Sequence, residues 1–157
     1  MPDEVLSEVL DLARRAPSSM GGQPWRFFVI RDRDTKERLA AIKDAHTPPG
    51  KSEYRAGFLS GAPAVIVVCV ERNESWGREI ENGVLATAFL ILAAQDRGLG
   101  SVYLTAYRGD DPGLAREIRA ALGLAEGLEA IAIVPLGFPA ETPAPKPLRP
   151  LEEIVVR

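Results

Sequence analysis

The chain has 157 residues, of which 46% are hydrophobic and 26% charged, with a formal net charge of -3, one cysteine and one histidine. That length suits one domain able to bury a core without disulfides or a structural metal. The mild acidic balance offers no electrostatic footprint for nucleic acid or a membrane surface, and Cys69 and His46 are too few for a disulfide within the chain or a Cys/His metal site.

The amino-terminal segment MPDEVLSEVL has neither the basic start nor the apolar core of a secretory signal. No apolar run reaches the roughly 20 residues of a membrane span. A cytoplasmic location is therefore expected. Residues 2–15 read as a helix, because Val5, Leu6, Val9, Leu10 and Ala13 form one stripe at helical spacing. Pro17 stops it, and residues 18–24 form a loop rich in serine and glycine. Trp25–Ile30 is aromatic and β-branched, as a strand is. Asp34 or Thr35 caps a second helix that runs to about Ala45, with Leu39, Ala40 and Ile42 turned inward. Residues 46–57, with two prolines and mixed charge, fit no element. The continuous apolar run PAVIVVCV (63–70) predicts a strand covered on both faces, in a central or parallel position.

The next helix is the most informative. From Gly83 to Ala94 only Thr87 is polar, and a helix apolar all round must be covered all round. One small domain seldom surrounds a helix, so a second copy packing on helix 82–97 is the expectation, against a central helix within a monomer. Gly98 caps this helix, and residues 101–107 form a strand. A helix follows from Asp110–Pro112 to Leu122, then a strand over 129–136. The proline-rich stretch 137–150 is extended, and 151–156 forms a short closing strand or an arm on the partner. Helices alternating with strands imply an α/β or α+β arrangement.

Motif searching is mostly negative. There is no G-x-G-x-x-G after a strand, no Walker loop, no nucleophile elbow, no H-E-x-x-H and no C-x-x-C. His46 has no carboxylate or serine partner by spacing and reads as a surface loop histidine; Cys69, inside an apolar strand, reads as a small hydrophobe. Trp25 reads as a core or interface aromatic. An enzyme built this way would take its chemistry from an organic cofactor.

Three blocks carry a resemblance. RRAPSSMGGQPWRFFVI is similar to the A-P-S-x-x-N-x-Q-P-W segment of the nitroreductase family. ENGVLATAFLILAAQDRGLGSVYL resembles that family's long central helix ending in G-L-G. VPLGFPAETPAPKPLRPLEEIV resembles its last strand, G-[YF]-P turn and basic tail. The resemblance implies an α+β fold with a mixed central sheet flanked by helices. It also implies one domain over 1–157, whose tail 137–157 embraces a partner subunit, and a homodimer with FMN in sites built from both subunits. Ser18 and Ser19 would donate to the cofactor, Gln23 would offer its amide, and Lys146 and Arg149 would meet the FMN phosphate. Backbone groups of Leu104, Thr105 and Ala106 would face the flavin N5 edge. NAD(P)H would be the transient electron donor and a flat electrophile such as a nitroaromatic or quinone the acceptor, with no side chain named as catalytic. The alternatives are a non-catalytic flavin or planar-ligand binding protein of the same fold, and a nucleotide-dependent transferase on a doubly wound sheet.

The chain departs from that pattern twice. The R-R-S-x-R block that precedes the first helix in the family has no counterpart before PDEVL, and Gly21 stands where the motif has asparagine. Both changes predict weaker flavin binding unless Arg26, Lys51 or Arg55 compensates.

Overall fold

The computed structural model describes residues 1–51, 53–142 and 144–156. Its elements are α1 (Asp3–Ala13), β1 (Trp25–Ile30), α2 (Arg33–Ala45), α3 (Phe58–Gly61), β2 (Ala64–Glu71), α4 (Glu79–Asp96), β3 (Gly100–Ser101), β4 (Leu104–Thr105), α5 (Pro112–Leu122), β5 (Leu128–Gly137) and α6 (Leu151–Ile154). The strands form one sheet in the order β1-β2-β5-β3, with β4 also on β5. This is the α+β class expected from the sequence. The sheet, however, is antiparallel in all four pairings, where a mixed one was expected. The reason is that a strand covered by helices on both faces is continuously apolar in either direction, so hydrophobicity cannot report strand sense.

Two cores follow from that covering. On one face α1 and α4 pack Val9, Ala13, Ala86 and Leu90 against Ile66, Val68, Ala132 and Val134. On the other, Leu39, Leu59, Leu114 and Ile118 pack against Val65, Val67 and Ile133. Trp25 is buried in the first core, as read from the sequence.

Local chemistry sets the boundaries. The α2 cap is Asp32, whose carboxylate accepts from the Thr35 N–H at 2.8 Å; Asp34 and Thr35 lie inside the helix instead. Gly98, at φ +69, ends α4 with the left-handed turn that glycine adopts without cost. The closing segment expected as a strand or arm begins with the short helix α6, and residues 144–150 before it are irregular and exposed. No helix is long and apolar enough to cross a membrane among the described residues.

β3 and β4 keep one register along β5: Gly100 faces Gly137, Ser101 faces Leu136, Leu104 faces Ile133 and Thr105 faces Ala132. They are therefore one edge strand broken at Val102–Tyr103. The Ala106 N–H donates to the Ile131 carbonyl at 2.9 Å, so alternate pairs along the strand exchange hydrogen bonds. Val102 would fall opposite Pro135 in such a pair, and proline has no N–H to give.

α4 crosses the sheet at Gly83. A Cβ there would come within 2.7 Å of three side-chain atoms of Ile131, the extra residue where β2 and β5 slip register. Gly83→Ala is thus an overpacking change, expected to cost about 1–3 kcal/mol of stability. Urea denaturation would measure it; a loss no larger than that of an exposed-site control would refute the close crossing.

Candidate functional site

The outer face of α4 is the first notable feature. Asn82, Gly83, Ala86, Thr87, Leu90, Ala93 and Ala94 are buried against the sheet and α1. The opposite stripe, Ile80, Val84, Leu85, Phe89 and Leu92, is exposed, with Leu92 at 67%. The helix is apolar on two faces, and this chain covers one of them.

The loop ahead of β1 is held in an unusual shape. Met20 and Gln23 sit at φ 51 and 48, and Gly21 at φ 68. Left-handed backbone costs a non-glycine residue roughly 1–2 kcal/mol, so it needs support. Two hydrogen bonds supply it. The Ser18 hydroxyl oxygen accepts from the Gln23 N–H at 2.9 Å, and the Asn82 side-chain carbonyl accepts from the Ser19 N–H at 2.9 Å. Asn82 is 1% exposed and also donates to the Ser75 carbonyl at 3.1 Å. A Cβ at Gly22 would overlap the Glu74 carbonyl oxygen, so the loop lies tight against residues 74–75. The Ser18 hydroxyl hydrogen, the Ser19 hydroxyl and the Gln23 amide have no partner among the described residues. Asn82 escaped the sequence reading, although it lies on the buried stripe of α4, four residues before Ala86.

Leu104, Thr105 and Ala106 lie at the other edge of the sheet, three strands from β1. Their backbone groups are not equivalent. The Ala106 N–H is spent on Ile131, and Leu104 falls in a hydrogen-bonded pair with Ile133. Thr105 falls between, so its N–H and carbonyl point away from β5. The carbonyl accepts from Lys43 Nζ at 2.7 Å, which leaves the N–H at the open edge. Lys146 and Arg149 are exposed, and neither makes an ion pair among the described residues. Of the cations weighed as compensators, Arg26 is committed to Glu71 at 2.8 Å, Arg55 donates to the Tyr54 carbonyl at 2.7 Å, and Lys51 borders a cleft beside β4.

A single chain therefore gathers the loop donors at one sheet edge and the Thr105 donor at the other. The cleft that borders Leu104 and Thr105 contains none of Ser18, Ser19, Gln23, Lys146 or Arg149.

His46 corrects the sequence reading. It ends α2 with its side chain mostly buried, and it has two carboxylate partners: Nδ1 lies 2.7 Å from Asp111 and Nε2 3.2 Å from Glu117. Spacing hid them, since both lie more than 60 residues away on α5 and its cap. The hydrogen bond with Asp111 raises the His46 pKa above its ordinary 6.5, and His46 in turn holds Asp111 below 3.8. Cys69 behaves as read: it is fully buried, and burial pushes its thiol up to about 12, where no useful thiolate exists.

The comparisons with known proteins identify the family and the fold. The family model described as Nitroreductase family matches residues 1–138. The chain is 30% identical over 171 residues to an iodotyrosine deiodinase of Thermotoga neapolitana, covering 99% of this chain and 86% of that protein. It is 30% identical over 194 residues to an NADH dehydrogenase of Thermus thermophilus, again covering 99% and 86%. It superimposes on an FMN-dependent nitroreductase from Clostridium difficile R20291 with a TM-score of 0.75 and 26% identity, over 91% of this chain and 79% of that one.

The His46–Asp111 pair should leave a pH signature. Only the imidazolium can donate to both carboxylates at once. Its raised pKa makes the contribution complete below 6.5 and lost as pH rises through the higher folded value. The depressed pKa of Asp111 makes it present above 3.8 and lost as pH falls through the lower folded value. The Tm gap between wild type and His46→Gln should therefore be widest between about pH 4 and 6.5 and narrow on either side; a gap flat across pH would refute the pairing.

Proposed function

The chain belongs to the nitroreductase family, and from that premise we propose that it works as a homodimer that binds FMN and passes reducing equivalents from NAD(P)H to a flat electrophilic acceptor such as a nitroaromatic or quinone. The supporting observation is the division of donors between opposite sheet edges, together with an uncovered apolar stripe on the helix between β2 and β3. A second copy seated on α4 would cover that stripe and could bring the 18–23 loop of one subunit to the Thr105 edge of the other. The exposed apolar residues of the tail, Leu148, Leu151, Ile154 and Val155, suit an arm along the partner.

The residues fit a flavin mononucleotide. Ser18, Ser19 and Gln23 have unspent hydrogen-bond capacity, Thr105 has an outward N–H, and Arg149 and Lys146 are cations without counter-charges among the described residues. Arg149 would take the phosphate with its planar fork, with Lys146 as a second cation. The serine hydroxyls and the Gln23 amide would hold the cofactor from the first loop, and the Thr105 N–H would orient the ring edge. Bound flavin supplies two-electron transfer between NAD(P)H and the acceptor.

Over a turnover NAD(P)H gives up a hydride and solvent gives one proton. A quinone takes up both as a hydroquinone, while a nitro group becomes nitroso and releases water. The chain's own work is to hold the ring, stack the acceptor on it and exclude water, so no side chain is assigned as acid or base. A cytoplasmic setting supplies both pyridine nucleotides and suits a protein without disulfides.

The visible spectrum decides the central claim. Protein incubated with FMN and desalted should keep a flavin band that anaerobic NADH or NADPH bleaches. Colourless protein would overturn the proposal, and bound flavin that neither nucleotide bleaches would make this a carrier. Arg149→Ala should weaken FMN retention about tenfold or more, since a charge-assisted hydrogen bond is worth about 1.5–3 kcal/mol.

Leu92→Glu tests the assembly. It should convert a dimer to monomers in sedimentation and release the flavin, whereas a wild-type protein already monomeric would end the two-subunit reading.

A further inference from the structure

A cleft of about 390 Å³ lies where α5 and the turn before it meet the end of β2 and the start of β5. It contains none of Ser18, Ser19, Gln23, Thr105, Lys146 or Arg149, so the proposed flavin site leaves it unused. Four guanidiniums line it, those of Arg72, Arg108, Arg116 and Arg119, against the two carboxylates of Glu126 and Glu129. The pairing among them is incomplete. Arg72 and Arg119 share the one carboxylate of Glu129, with Arg119 at 3.3 Å. Arg108 is held by Asp110 at 2.7 Å, outside the lining. Glu126 is exposed and makes no ion pair among the described residues. Arg116 is exposed and has neither an ion pair nor a hydrogen bond among them. Arg116 and Arg119 stand three apart on α5, so like charges adjoin on one helix face, which weakens a helix. Arginine keeps its charge at every working pH, so this surplus cannot be titrated away.

From this convergence of guanidiniums we infer that the cleft binds the phosphate monoester of a nucleotide, with Arg116 and Arg119 on the phosphate and Tyr107 and Pro112 along the ribose or base. A phosphate monoester brings about −1.5 to −2 charges and three acceptor oxygens, and guanidinium forks match those oxygens in pairs. The rest of the lining is aromatic and apolar surface, and the volume falls in the range of small-molecule sites. Two sources carry that chemistry: the adenosine 2′-phosphate end of NADPH, and a separate nucleotide. Arg108 lines both this cleft and the one beside Thr105, so the two adjoin, and a single dinucleotide could reach from one to the other.

The test titrates adenosine 2′-monophosphate calorimetrically into the full chain at pH 7, with adenosine as the uncharged control. The monophosphate should bind at least about tenfold more tightly than adenosine. Arg116→Ala should erase most of that preference with Tm unchanged or slightly raised, because it breaks no bond and removes a like-charged neighbour of Arg119. Arg116→Lys, which keeps the charge without the fork, should restore only part of it. Equal binding of the two compounds, binding of neither, a preference that survives Arg116→Ala, or an equal loss from Arg14→Ala on the opposite face of the sheet overturns the inference. The KM of FMN-loaded protein for NADPH against NADH then separates the sources. A lower KM for NADPH that Arg116→Ala removes assigns the site to the electron donor, and equal KM values assign it to a separate nucleotide; either result supports the phosphate site. The calorimetry needs neither flavin nor turnover, so a failed flavin site is distinguishable from a failed cleft.

Discussion

α4 has two apolar faces and its own chain provides one sheet. That constraint governs the architecture. The inner face packs on the sheet so closely that Gly83 leaves no room for a methyl group against Ile131. The outer face carries Ile80, Val84, Leu85, Phe89 and Leu92, a stripe too long and too continuous to be incidental surface hydrophobicity. The first turn of the same helix carries Asn82, whose buried amide fixes the loop that carries Ser18 and Ser19. Packing and candidate binding surface thus share one element, and a disturbance of the helix reaches the loop within a turn.

The broad architecture was legible in the residues because hydrophobic period reports burial directly. The stripe of α1, the all-apolar α4 and the two continuous runs at β2 and β5 identified their elements to within a few residues. Strand sense was not legible, because burial on both faces erases the alternation that distinguishes an antiparallel sheet. The short segment 151–154 was also ambiguous, since four residues carry too little period to separate a helical turn from a strand.

The candidate site was legible in part. The serine-glycine loop, Thr105 and the basic tail stood out through resemblance, but which backbone donors are available at 104–106 depends on ladder phase, which only the folded sheet fixes. Lys43 left a trace that could have been read: it lies four residues after Leu39 on the buried stripe of α2, an odd position for a lysine. His46 left none, because its significance comes from partners across the fold. Contacts between residues 46 and 111 are invisible to any local pattern.

The broken edge strand has a consequence for how this protein behaves in a crowded solution. A sheet border normally invites strands from other molecules to zip on in long register, the first step toward fibrils. Here the β3–β4 border is cut into two-residue pieces beside a single proline on its neighbour, so along it a foreign strand finds only short runs of regularly spaced partners, unlike the unbroken border at β1. Pro135 therefore lets the molecule leave the Thr105 peptide N–H unpaired at that edge while denying the edge to polymerisation.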